Sequence, residues 1–325
     1  MLKYVIKRTL LLIPTLFVVL TIIFILLRLV PGGPERALLN QWYEEGPNGG
    51  DDFTPEQWAE VRAYLGTDKP IPVQLWNYYK NILTGNWGES YFDEMPVFDN
   101  MKRVWEPTLL MDAYATIITV VLALPLGIFA ATHRGSVGDV LITSGSTIVM
   151  CIPAMCFAML VAYFLGFRLG WFPVTGYTSL SKGDFWKTIW TLTLPSFALG
   201  IRHVASLARF TRSTFLDVLN QDYIRTARAK GLSMNRIYYK HAMKNTLSIV
   251  GTLIARSITG MLGGAFIIES VFNINGMGKL SVRSISSRDY PQQQAIVLFF
   301  AFVTLGMDLL LDIFYKLLDP RIDFS

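Results

Sequence analysis

The side chains in this chain that are able to do chemistry are scattered. His133, His203 and His241 lie far apart, and none opens a His-Glu-x-x-His run, the helical spacing a zinc hydrolase needs. Cys151 and Cys156 share an apolar run, and five residues on a helix place them about 140° apart. They read as buried free thiols, without a disulfide or a metal. Met277-Gly278-Lys279 looks like the end of a phosphate loop. Such a loop needs Gly five residues before the Gly-Lys pair and Ser or Thr after it, where this chain has Asn273 and Leu280. No ATP site is therefore expected here. Ser144 and Ser146 have no basic partner in the sequence, which argues against an intramembrane protease. The ionisable residues of most interest sit in apolar surroundings. Arg256 is one; Asp308 and Asp312, four residues apart and so on one helix face, are others. A charge at the centre of a membrane helix costs about 2.5–3.5 kcal/mol, so each needs either a functional or a structural reason. Arg202 and His203 fall near the inner end of a weaker apolar run and read as snorkelling or loop-facing rather than as solute ligands.

These residues need elements to hold them, and composition says what kind. Of 325 residues 52% are hydrophobic and 16% charged, against about 25% charged in an average soluble domain. That excludes a disordered chain, a disulfide scaffold and an ordinary soluble enzyme, and leaves an all-α integral membrane protein. The net charge of +5 is too mild for nucleic-acid binding. Thr9 to Leu27 carries no charge and follows Lys3, Lys7 and Arg8, which predicts a retained membrane helix with a cytoplasmic N-terminus. Residues 31–107 are polar and hold 13 of the 24 acidic residues, predicting a small extracytoplasmic segment too poor in apolar residues for a core of its own. Within it Thr54-Pro55-Glu56-Gln57 is a helix start with a capping box, Val73–Leu83 is a short helix with Leu75, Trp76, Tyr79, Ile82 and Leu83 on one side, and Glu45–Asp52 is a loop.

Further spans are predicted at about 109–131, 140–166, 189–208, 247–270 and 294–315, for six in all. With both termini inside, the inner segments hold 14 Lys+Arg in 61 residues, and the short outer loops 168–187 and 271–290 hold 6 in 40. That is the sign the positive-inside bias requires. The predicted division is 1–107, a first membrane helix plus extracytoplasmic segment, and 108–319, a membrane core. An ion-driven transporter would want internal repeats and clustered midplane carboxylates, and neither is evident.

The long inner loop, 209–244, contains Asp222-Tyr223-Ile224-Arg225-Thr226-Ala227-Arg228-Ala229-Lys230-Gly231-Leu232. Gly231 is placed to end a short helix. Tyr223, Ile224, Ala227 and Leu232 suit one apolar strip among basic residues. Such a segment suits anionic lipid or a protein partner that needs close backbone approach.

With this loop the chain resembles the permease subunits of ATP-binding-cassette importers, in their dipeptide/oligopeptide and nickel branch. Arg225-Thr226-Ala227 stands where the broad family has Glu-Ala-Ala, and Gly231 keeps its place. Arg-Thr-Ala-Arg-Ala-Lys-Gly, then His241-Ala242 and Asn245, is the peptide branch's version. Leu29-Val30-Pro31-Gly32-Gly33-Pro34, Leu169 to Gly176, Gly263 to Phe272 with Gly276-Met277-Gly278, Arg288-Asp289-Tyr290-Pro291 and Leu318-Asp319-Pro320-Arg321 agree in order. The resemblance implies a type I importer permease in a bacterial plasma (inner) membrane. Its partners would be a second permease, two cytoplasmic ATP-binding subunits carrying ATP and Mg, and an extracytoplasmic solute-binding protein. It further implies that Tyr223, Arg225, Thr226, Ala227, Arg228, Lys230, Gly231 and Leu232 form the ATPase-docking segment. The fifth span would line the path, which makes Arg256, Met261 and Glu269 the candidate path residues. Peptides are the implied solute, with nickel chelates or another small solute as the alternative.

Overall fold

A computed structural model describes residues 2–29, 33–43, 53–180 and 183–318. The expected loop Glu45–Asp52, Pro31-Gly32 and Asp319-Pro320-Arg321 lie outside the described residues. Among the described residues thirteen α-helices follow one another. They are α1 (Leu2–Leu29), α2 (Gly33–Tyr43), α3 (Pro55–Leu65), α4 (Ile71–Leu83) and α5 (Val97–Thr132). Then come α6 (Val137–Cys151), α7 (Ala154–Val161), α8 (Phe185–Leu219), α9 (Asp222–Ala229) and the single-turn α10 (Met234–Arg236). α11 (Met243–Val271), α12 (Met277–Ser286) and α13 (Tyr290–Leu318) complete the chain. π-helical turns, Ala162–Arg168 and Ile237–Ala242, follow α7 and α10.

Among the described residues α5 and α13 are long and apolar enough to cross a membrane, and two bent pairs raise the number to four. α1 contributes a shorter apolar run, Leu10–Leu26. α8 is 35 residues long but carries Arg202, Arg209 and Arg212 and falls outside that set. The stretch predicted as one span over 140–166 is not straight: α6 meets the helix through Ala154–Arg168 at 110°. The cause is Pro153, which forces the preceding residue out of the helical region; Ile152 is extended at φ −78°, ψ 129°. Cys151 and Cys156 flank this break and are free, as expected, but exposed rather than buried. α11 bends by 52° between Met261 and Gly263, beside a Gly-Gly pair.

The chain divides into two compact units, residues 1–105 with 279–306 and residues 106–278 with 307–325. In the second, α5 and α8 pack through small residues. A Cβ on Gly127 would lie 2.6 Å from the Ala208 carbonyl oxygen, and one on Gly200 would lie 2.9 Å from that of Ala115. Thr119 donates to the Gly200 carbonyl (3.3 Å) and Ser196 to that of Met111 (3.1 Å). Close backbone approach with short hydroxyl bonds is how helices associate where lipid removes the hydrophobic drive. Met111, Leu192, Leu194, Met261 and Ile268 fill the core around this contact.

In the first unit the Thr54 capping box forms as the sequence predicts, with Thr54 N–H to Gln57 Oε1 at 2.7 Å and Gln57 N–H to Thr54 Oγ1 at 3.3 Å. The segment does have a small core, contrary to expectation: Leu38, Leu39 and Val61 are buried, with Trp58, Tyr43 and Tyr91 packed on them. Aromatic rings supply area that a count of aliphatic residues misses. In α4 the packed face is Leu75, Tyr78, Tyr79 and Ile82, whereas Trp76 and Leu83 point outward. Asp289 caps α13 through the Gln292 N–H (3.3 Å) and also accepts from Ser90 Oγ (2.5 Å) and the Tyr91 N–H (3.1 Å). Nearby, burial pushes the Asp93 carboxyl up. Hydrogen bonds from the Asn100 amide, the Met95 N–H and Ser90 outweigh that and hold it below the usual carboxylate range.

Candidate functional site

Within the predicted loop 209–244 the docking segment folds as α9, and Gly231 terminates it. Gly231 takes φ +74°, its N–H bonds to Arg228 O (2.9 Å), and the Leu232 N–H reaches Ala227 O (3.3 Å). A β-carbon is disfavoured at that φ, which is why glycine stands there. The expected apolar strip divides. Ile224 and Ala227 are buried against Phe215, Val218, Leu219 and Ile237, and Leu232 packs on the same cluster. Tyr223 is exposed, and its hydroxyl accepts from Asn245 Nδ2 at 2.6 Å. So two residues seat the helix on the end of α8, and the exposed face carries Arg225, Thr226, Arg228, Lys230 and Gly231. Ala227, named with the docking set, is part of the seat. Arg225 pairs with Asp222 at 3.4 Å in open solvent, a contact of little energetic weight.

Of the three path candidates, only Arg256 is exposed on this chain. It forms no ion pair among the described residues, and Asp308 of α13 is exposed as well. Met261 is fully buried in the core, with Thr116 Oγ1 3.7 Å from its sulfur. Glu269 is fully buried too. Its carboxylate accepts from Thr108 Oγ1 (2.5 Å), and that hydroxyl accepts from the Met277 N–H (2.8 Å). A Cβ on Gly276 would stand 2.3 Å from the Glu269 carboxyl carbon, and one on Gly278 would stand 2.5 Å from Phe266 Cα. Gly276-Met277-Gly278 is therefore a close backbone approach built over the end of α11, and Glu269 holds it.

Two polar groupings in this unit were not legible from spacing. Arg202 does not snorkel. Its guanidinium donates to the Ile152 carbonyl (2.7 Å), a group left without a helical partner by the break between α6 and α7. Arg212 grips Asp139 with two bonds, Nε to Oδ1 at 2.5 Å and Nη2 to Oδ2 at 2.8 Å. Asp139 also receives the Gly135 N–H (2.9 Å), which fixes the α5–α6 turn to α8. Neither pairing has a local sequence signal, because the partners lie 50 and 73 residues apart.

Apolar helices long enough to cross a membrane, with a short basic helix seated on the end of α8, suit a membrane transport subunit. Comparison with known proteins agrees. Residues 123–324 match the family described as binding-protein-dependent transport system inner membrane component, and residues 1–121 match its N-terminal region. The chain belongs to this family of permeases. It is 36% identical over 325 residues, the whole of both chains, to the glutathione transport system permease protein GsiC of Salmonella typhimurium (strain LT2). To GsiC of Escherichia coli (strain K12) it is 35% identical over 325 residues, again the whole of both. Its fold is that of a chain in the inward-facing MetNI methionine ABC transporter, with a TM-score of 0.55, 14% identity and coverage of 69% of this chain and 98% of that one.

Proposed function

We propose that this permease forms half of the path of an ATP-driven importer for short peptides, glutathione-like tripeptides among them. The observation that carries the reading is end-to-end identity with permeases of glutathione transport, joined to an α9 whose outward face is basic and ends in a left-handed glycine. A second permease would complete the path, and two ATP-binding subunits would receive α9 on the inner side. A solute-binding protein would deliver cargo outside, with both termini inside. In this reading 108–319 is the translocating core and 1–107 an accessory helix and outer segment. ATP and Mg reside on the partner subunits.

The test is reconstitution of the complete complex in vesicles. Glutathione and dialanine uptake should require ATP and the binding protein, and nickel-chelate uptake should be weak by comparison. Gly231→Val, strained at φ +74°, should leave ATP hydrolysis running while uptake falls at least tenfold. Uptake driven by an ion gradient without ATP, or unimpaired uptake with Gly231→Val, would overturn the reading.

A further inference from the structure

The first unit contains a cavity of about 340 Å³ walled by α1, α4 and the first turns of α13. Three hydroxyls on its lining, Thr67 Oγ1, Tyr78 OH and Tyr290 OH, are buried and have no hydrogen-bond partner among the described residues. Tyr290 is 6% exposed, so water outside the cavity does not satisfy it. A buried hydroxyl left unpaired is costly. Three around one cavity mark a site built for a polar occupant. The charges on the lining are Arg28 and Glu89, one of each sign. Arg28 donates to Gln74 and stacks 3.5 Å over the Phe24 ring, and it forms no ion pair among the described residues.

The position of the cavity selects the occupant. Arg28 closes the apolar run of α1. Phe24 lies one turn below it, and Leu298 lies eight residues, about 12 Å, along α13 from Tyr290. The cavity thus runs from a membrane boundary into hydrocarbon depth. α4 follows it inward: Tyr79 hydrogen-bonds Thr21 at 2.6 Å and meets the Phe17 ring edge-on at 5.0 Å. Thr21 is seven residues, about 10 Å, deeper than Arg28 on α1. Ile71, Val73, Trp76 and Leu83 of α4 are exposed, as lipid-facing side chains are. We propose that this cavity holds the zwitterionic headgroup of a phospholipid, its phosphate on Arg28 and the tyrosine hydroxyls and its acyl chain running past Phe24 and Leu298.

The complete transporter, delipidated in detergent, is titrated with dioleoylphosphatidylethanolamine and read by native mass spectrometry. One tightly held lipid per copy of this permease is expected. Tyr290→Phe with Thr67→Val should weaken its retention at least tenfold, and Arg28→Gln should do the same. The lipid-free thermal midpoint of the Tyr290→Phe, Thr67→Val complex should not fall, because neither hydroxyl has a protein partner to lose. Equal lipid retention in wild type and variants overturns the proposal. So does a fall in the lipid-free midpoint, or displacement of the lipid by glycerophosphoethanolamine or dialanine, which would make the cavity a site for soluble ligands.

Discussion

Glu269 illustrates how a single carboxylate in an apolar helix is decided by what surrounds it. In sequence it is an ionisable residue in a membrane span and therefore a path candidate. In the structure it is fully buried, receives the Thr108 hydroxyl and fills the space that a side chain on Gly276 would need. Thr108 bridges, donating to Glu269 and accepting from the Met277 N–H. Thr108→Val removes both bonds at constant shape and takes from the buried Met277 N–H the acceptor it has here, at a cost of about 1–3 kcal/mol. Gly276→Ala meets the carboxylate instead, an overpacking cost of about 1–3 kcal/mol. Both variants should lower the thermal midpoint of the purified complex, and Thr108→Ser should restore most of it. An unchanged midpoint for Thr108→Val would return Glu269 to the path. The chemistry of Gly276 was invisible in sequence because a glycine's reason lies in what approaches it. Gly231 was legible, since its neighbours alone define a helix end.

At the scale of elements, the sequence marks where helices are and misses how they are broken and tied. Apolar runs predict α1, α5, α11 and α13 to within a turn or so at most ends, and capping chemistry places α3. α1 and α5 are the exceptions at their starts: α1 takes in the charged residues before Thr9, and α5 begins at Val97, since its first turns are amphipathic and fall below an apolar-run criterion. Pro153 was in plain view, yet the 110° bend needs more than a proline, because Pro107 and Pro125 sit inside α5 without ending it. What differs is Arg202, which satisfies the Ile152 carbonyl freed at the bend. The Asp139–Arg212 pair is the second tie, linking the α5–α6 turn to α8 close to the α9 seat. Asp139 is nearly buried at 5% and Arg212 one-quarter exposed, so solvent screens the pair only in part. A double-mutant cycle with Asp139→Asn and Arg212→Gln should give a coupling of about 0.5–3 kcal/mol in the thermal stability of the complex. Strictly additive losses would mean the two side chains do not support one another.

For the whole molecule the open charge is Arg256. It stands thirteen residues, about 20 Å, beyond the start of α11 at Met243 and fifteen before its end, a mid-helix position from which snorkelling would not reach an interface. It is exposed on this chain, beside buried Ala255, and in the proposed reading it faces the path or a second permease. The sequence marked the residue as a path candidate, and the fold leaves it exposed, as it does Asp308. A cation on the path would recognise a peptide's terminal carboxylate, an interaction worth about 1.5–3 kcal/mol when made to a charged group. Arg256→Gln should then lower glutathione uptake about tenfold or more, lower uptake of a cationic dipeptide such as dilysine much less, and leave assembly with the partner subunits intact. A carboxylate on the second permease predicts the other pattern: the complex falls apart or loses stability by several kcal/mol, because one buried charge is left unpaired. The two are read in one experiment, by the yield of intact complex alongside uptake of both peptides. Equal loss for both peptides with full assembly would remove charge recognition from Arg256 altogether.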